Sequence, residues 1–422
     1  MKRSDVKQPP THGCRKTALT FQFHGYTALH SQLVKVYGIM KIPTVSLAND
    51  ETQFALVDYL PIFMRSFHFI RCRLLSWLGY PVPSRYARHQ TAVTSMDNPI
   101  GAGYLLVEFI ESTQGTMLSN TWTDGRHDKK LRENLFRDMS RIFLSMSRVH
   151  LPCIGSFIID DNGYLKLTNR PLSVEIQQLE NENIPTGMGR DYTYSTVDSY
   201  IVDTLVLHDN RFRYQPNAVN NIGDYAHQLA TLSAMRLTFQ SIFDKTFSRG
   251  PFVYCFTDPH QSNIFVNAGW HITCLVDLEW ACSQPIEMVQ TPYWLTNRGV
   301  DQLVATEYDA IRSEFVSILA DEEKKSANRF ITQNKKSLST IMEQGWANGT
   351  FWYTLALSSP SGVITIFKEH IRPMFLKENI EEFNMIMPFL WGKKIGYTAG
   401  CKLRDKEEYD KNLEQAFADN SG

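Results

Sequence analysis

Between Tyr254 and Cys282 the chain reads YCFTDPHQSNIFVNAGWHITCLVDLEWAC, and this segment constrains the fold more than any other. Asp258 precedes Pro259, whose ring disfavours helical angles in the residue before it, so Asp258 belongs in a turn. Asn263 follows at D-x-x-x-x-N spacing and opens an apolar strand, Asn263 to Val266. Asn267-Ala268-Gly269-Trp270 reads as a turn and His271 to Leu275 as the returning strand, with Asp277 just past its end. The hairpin therefore predicts Asn263 and Asp277 close together at its open end, with Asp258 on the loop that enters it.

Two carboxylates and one amide oxygen converging there form a hard-oxygen site. Magnesium favours such a site when substrate phosphates supply the remaining ligands. Phosphoryl transfer uses the same set: one Asp orients and deprotonates the attacking hydroxyl, while the Asn and second Asp hold the metal. Positioning and charge neutralisation supply most of that catalysis, so few residues suffice. Taken alone, the D-x-x-x-x-N spacing is common among turn formers. The hairpin and the second Asp at its far end are what raise the functional reading.

Phe256-Thr257-Asp258-Pro259-His260-Gln261-Ser262-Asn263, followed by Val276-Asp277-Leu278-Glu279-Trp280, resembles the H-G-D-x-x-x-x-N and I-D-W/L-E motifs of the aminoglycoside phosphotransferase family. The likeness is closest to its fungal members. It extends to DNPIGAGYLLVEFIE (97–111), IGSFIIDDNGYLKLTNRP (154–171), LENENIPT (179–186) and PIEMVQTPYWLT (285–296), and covers roughly residues 80 to 300. The resemblance implies an α+β, two-lobed protein-kinase-like fold with a small N-terminal lobe and a mainly helical C-terminal lobe. It implies an ATP- and Mg2+-dependent phosphotransferase acting on a hydroxyl of a small molecule. Asp258 would be the catalytic base, and Asn263 and Asp277 the magnesium ligands. Tyr104 to Ile110 would lead to the adenine-binding hinge, with backbone groups near Glu108 and Ile110 contacting the base.

The chain departs from that pattern in two places. Phe256 and Thr257 stand where the motif has His and Gly, the His being the residue that braces the loop. The N-terminal part lacks a GxGxxG, and Gly101-Ala102-Gly103 precedes a strand rather than a helix, which excludes a dinucleotide fingerprint. Lys41, in Gly38-Ile39-Met40-Lys41-Ile42-Pro43, is the best phosphate-binding lysine, with Lys35 second; a surface lysine at a strand end is the plain alternative. The following helix offers Arg65, His68, Arg71 and Arg73 where a lysine-pairing carboxylate is expected. A catalytically inactive pseudokinase, acting as a binding or regulatory protein with a protein partner, is therefore the rival reading.

Along the rest of the chain, residues 1–25 read as a polar tail, 26–111 as the small nucleotide-side lobe, and 112–422 as the large lobe carrying loop 256–263 and Asp277. LVKVYGIMKI (33–42) reads as two short strands, 54–78 as a helix broken or started at Pro61, and 104–110 as a strand. Leu131, Leu135, Met139, Ile142, Phe143 and Met146 keep helical spacing, as do Tyr225, Leu229, Leu232, Met235, Phe239 and Ile242. Gly155 to Leu167 reads as a hairpin turning at Asp161-Asn162-Gly163. Residues 181–220 read as a long polar and aromatic connection, with Asp191 to Tyr214 either a substrate-facing lid or a surface excursion. Beyond Pro285 the pattern is mostly helical.

Lys plus Arg total 43 against 44 Asp plus Glu, so no global charge argues for nucleic acid. No apolar run reaches a membrane span and no signal sequence is evident, so a cytoplasmic protein with no membrane partner is expected. Seven scattered cysteines without a CxxC suit a reducing compartment. A zinc site from Cys255, His260, His271, Cys274 and Cys282 is disfavoured, because strand alternation sends His271 and Cys274 to opposite faces. No GxSxG is present for a hydrolase nucleophile, and Trp280 and Trp294 read as core or pocket wall.

Overall fold

The computed structural model describes residues 45–48, 53–57, 61–84, 86–89, 104–107, 109–160, 162–278, 280–325 and 336–419. It is a mixed α+β chain, mainly helical, with small antiparallel sheets. The strands expected over 33–42, together with Lys35, Lys41, Gly101, Gly103 and Glu108, lie outside the described residues.

Among the described residues two strand pairs precede residue 111. Val45–Ala48 runs antiparallel to Tyr104–Val107, and Gln53–Leu56 to Tyr86–His89. The second pair corrects the helix expected over 54–78. Phe54, Ala55 and Leu56 belong to a strand, and the helix spans Ile62–Trp77, starting behind Pro61. A short apolar run has no period of its own, so the pairing partner at 86–89 decides it. The helix closes with Gly79 at φ 74, the Tyr80 amide donating to the Leu75 carbonyl at 2.9 Å and the Gly79 amide to Ser76 at 3.2 Å. That double return is a Schellman ending, which needs the left-handed residue.

The rest of the chain is organised by two helices read from their periodicity. Lys129–Ser147 begins at Asp128, whose carboxylate accepts from the Lys130 and Leu131 amides at 2.8 and 3.2 Å. Leu135, Phe136, Met139, Ile142, Phe143 and Met146 line its buried face. Phe136 meets Phe315 of the helix Ala305–Lys325 at 5.3 Å, and the Arg132 guanidinium pairs with Glu314 on the same helix. The second helix, Ile222–Ile242, is buried on several sides, from Leu229 to Ile242.

Residues 181–220 are not one long connection. Val197–Tyr214 is an eighteen-residue helix capped by the Thr196 hydroxyl on the Ser199 amide. Its buried Val197, Ile201, Leu205 and Phe212 tie it into the core. The hairpin Ser156–Ile159 with Leu165–Asn169 forms as expected, Gly163 taking φ 85 in its turn. The final helix, Ile395–Asp419, is fastened by Lys402, whose buried ammonium donates to the Gln215 carbonyl at 2.7 Å. Among the described residues no helix is long and apolar enough to cross a membrane.

Candidate active site

The fully buried strand Phe252–Cys255, the middle of a three-stranded sheet, delivers the chain to Phe256, Thr257 and Asp258. After Pro259 and His260 a single 3-10 turn, Gln261–Asn263, leads into the strand Ile264–Val266. Its partner Ile272–Leu275 pairs Ile264 with Leu275 and Phe265 with Cys274. The Val276 amide then donates to the Asn263 carbonyl at 3.0 Å, extending the ladder one residue. Asp277 follows immediately, in the left-handed region at φ 53. His271, just before this strand, is exposed, whereas Cys274 within it is buried.

Neighbouring elements hold this hairpin from both ends. At its closed end the Asn267 side chain accepts from the Gly269 and His271 amides at 2.9 and 3.1 Å. Asn134 and Asp138, on the helix Lys129–Ser147, bond Gly269 and His271. At its open end the Trp294 indole donates to the Pro259 carbonyl at 2.6 Å, and Asn263 donates from its amide to the Asp258 carbonyl at 3.3 Å. The Thr257 hydroxyl donates to the Trp280 carbonyl at 2.5 Å. Thr257 and Trp294 thus tie down the loop that carries Asp258.

Electrostatics mark the same spot. Burial raises the Asp258 carboxyl above its ordinary range, with His260 and the Asn263 amide pulling it back. Burial also raises Asp277, and the charge of Asp258 adds to it. Glu175 is raised chiefly by burial, offset by its own amide and the Ser173 hydroxyl, with Asp258 again adding to the rise. Tyr293 is raised by burial and then by Asp258 and Glu175. Asp258 thus acts on Asp277, Glu175 and Tyr293, and Glu175 acts on Tyr293 as well, an acidic grouping that favours cations.

Glu175 escaped the sequence reading. It lies in the first turn of Val174–Asn181, a helix capped by Ser173. The buried Arg170 guanidinium holds that helix by an ion pair to Glu180 at 2.6 Å and also bonds the Met188 carbonyl, beyond the helix, at 2.7 Å. The signal available in the sequence was small: a Ser cap followed by an acid in the first turn.

A pocket of about 330 Å³ opens beside Asp258. Glu175 and Asp258 supply its acidic side, Gln284, Gln290 and Ser358 its neutral polar groups, and Leu207, Met288 and Phe351 much of its apolar wall. Among the described residues no Lys, Arg or His lines it. Tyr200 and Thr204 on the helix Val197–Tyr214 also face it, so the segment weighed as a lid is a packed wall. Asp258 and Asn263 further line a small apolar recess with Phe143, Ile272 and Leu278. Asp277 lines neither cavity.

No family model, curated protein or solved structure matches the chain.

Of the residues singled out from the sequence, Asn263 and Asp277 lie at the hairpin's open end, joined through the Val276–Asn263 bond, and the charge of Asp258 reaches Asp277. Ile110 is half-buried, beyond the strand Tyr104–Val107. The chain then turns at Glu111, whose carbonyl accepts from Gln114 and Gly115, and adds Thr116–Met117 to the hairpin beside Phe265 and Val266. Lys41 and Glu108 lie outside the described residues. Among the described residues no three His, Cys, Asp or Glu side chains form a metal-ligand group.

Proposed function

We propose that this chain is an ATP- and Mg2+-dependent phosphotransferase acting on a hydroxyl of a small molecule. In this reading the fold is two-lobed and protein-kinase-like, of the aminoglycoside phosphotransferase family, with the strand pairs before residue 111 in the small lobe. The observation that carries the reading is the pairing of Asn263 with Val276, which sets Asp277 beside Asn263 while Asp258 faces a pocket.

The acceptor occupies the pocket of about 330 Å³, which limits it to a small molecule. Asp258 accepts the acceptor's hydroxyl proton, and its partly buried carboxyl, raised above the ordinary range, suits that exchange. Asn263 and Asp277 would hold Mg2+, which supplies charge neutralisation on the phosphates. Ile110 and Glu108 would present backbone groups to the base, and Lys41 would contact phosphate. Among the described residues the lining has two acids and no base, which disfavours acceptors bearing carboxylate or phosphate groups.

A second reading rests on the helix Ile62–Trp77, which carries no carboxylate to position a lysine. On that reading the chain is a pseudokinase that binds a protein partner. Asp258→Asn discriminates the roles within the first reading. It is expected to keep Mg-ATP binding while turnover of an accepted substrate falls by about a hundredfold or more. Turnover retained in that variant removes Asp258 from the chemistry.

A further inference from the structure

We propose that the helix Ile62–Trp77 lies flat on an anionic lipid surface. Phe63, Phe67, Ile70, Leu74 and Trp77 recur at four-three-four-three spacing and are between 53% and 82% exposed. At 3.6 residues per turn they fall within an arc of roughly 80°. The helix's half-buried positions, His68, Cys72 and Leu75, lie on the opposite side. Arg71 donates to the Tyr164 hydroxyl at 3.2 Å, seating the helix on the hairpin tip. The apolar stripe lies opposite these contacts, and Ile62 and Phe69 beside it are exposed too.

Charge selects the occupant. From Tyr59 to Met96 the sequence has five Arg (65, 71, 73, 85 and 88) and no Asp or Glu. Arg73 flanks the stripe on the side away from Arg71's bond to Tyr164, where its long side chain can reach headgroups while the rings enter the acyl boundary. Three of the five stripe residues are aromatic and Tyr80 follows, the composition of interfacial helices. A second copy of the chain docking through the same stripe would set arginine against arginine. The helix, about 24 Å long, lies on a membrane in this arrangement and does not cross one.

Sedimentation of the full-length protein with phosphatidylcholine vesicles, with and without phosphatidylserine, tests this. The expected result is binding to the mixed vesicles alone, weakened about fivefold by Arg73→Gln. Phe67→Ser with Trp77→Ser is expected to abolish it without lowering the melting temperature, since both side chains are exposed. Failure to bind mixed vesicles, equal binding to both compositions, or wild-type binding by the stripe variant overturns the proposal. So does self-association that the stripe variant abolishes in the absence of vesicle binding.

Discussion

Val276 donates its amide to the Asn263 carbonyl at 3.0 Å, and the next residue, Asp277, turns into left-handed geometry at φ 53. The ladder ends where the two metal-ligand candidates begin. A non-glycine residue in that conformation carries strain that its surroundings must hold in place.

Asp277→Gly is therefore expected to be more stable than Asp277→Ala by about 1 kcal/mol, because only alanine retains a Cβ in the left-handed region. Urea titration of the two variants measures the difference. An alanine variant as stable as the glycine one contradicts that backbone assignment.

Glu287 links stability to pH. It is buried, its Oε1 accepts from the Asp244 amide at 3.1 Å, its Oε2 has no partner, and burial pushes its carboxyl up to about 7 from 4.5. Between those values the folded state keeps a proton that the unfolded state has released, so stability falls as pH rises through that window. The effect is on the order of 3 kcal/mol as an upper bound. Glu287→Gln is expected to flatten the dependence and to stabilise the protein at about pH 8. Denaturant midpoints at about pH 5 and about pH 8 check it, and an unchanged slope in the variant contradicts it.

Lys402 closes the end of the helix Val197–Tyr214. Its ammonium, almost wholly buried, donates to the Arg213 and Gln215 carbonyls and pairs with Asp405 at 3.3 Å. A cation there also opposes the negative end of the helix dipole. Lys402→Met leaves those carbonyls without this donor and is expected to cost about 1–3 kcal/mol. Limited proteolysis should then cut the helix Ile395–Asp419 sooner than in wild type. Equal resistance contradicts the anchoring role.

The candidate site was legible where its determinants are local. Pro259 placed Asp258 in a turn, and Asn267 to Trp270 closed the hairpin, so Asn263 and Asp277 could be paired from spacing alone. Glu175 was not, because a buried arginine, Arg170, and a separate helix bring it to Asp258 from far upstream. Phe54 to Leu56 was misassigned to a helix because three apolar residues have no decisive period without the Tyr86–His89 strand. The helix Val197–Tyr214 was missed although Val197, Ile201, Leu205, His208 and Phe212 keep helical spacing. Polar and aromatic residues between them hid it, and His208, buried against the Leu357 carbonyl at 2.8 Å, does not read as core.

Thermal shift with ATP in the presence and absence of magnesium, for wild type beside Asp277→Ala, tests the central claim most directly. A ligand bound only by the folded state adds about 2.7 kcal/mol of stability at a hundredfold excess over Kd. The expected result is a magnesium-dependent rise in melting temperature for wild type that Asp277→Ala loses. No rise for wild type at millimolar ATP, or an equal rise in the variant, contradicts the phosphotransferase reading of Asp258, Asn263 and Asp277.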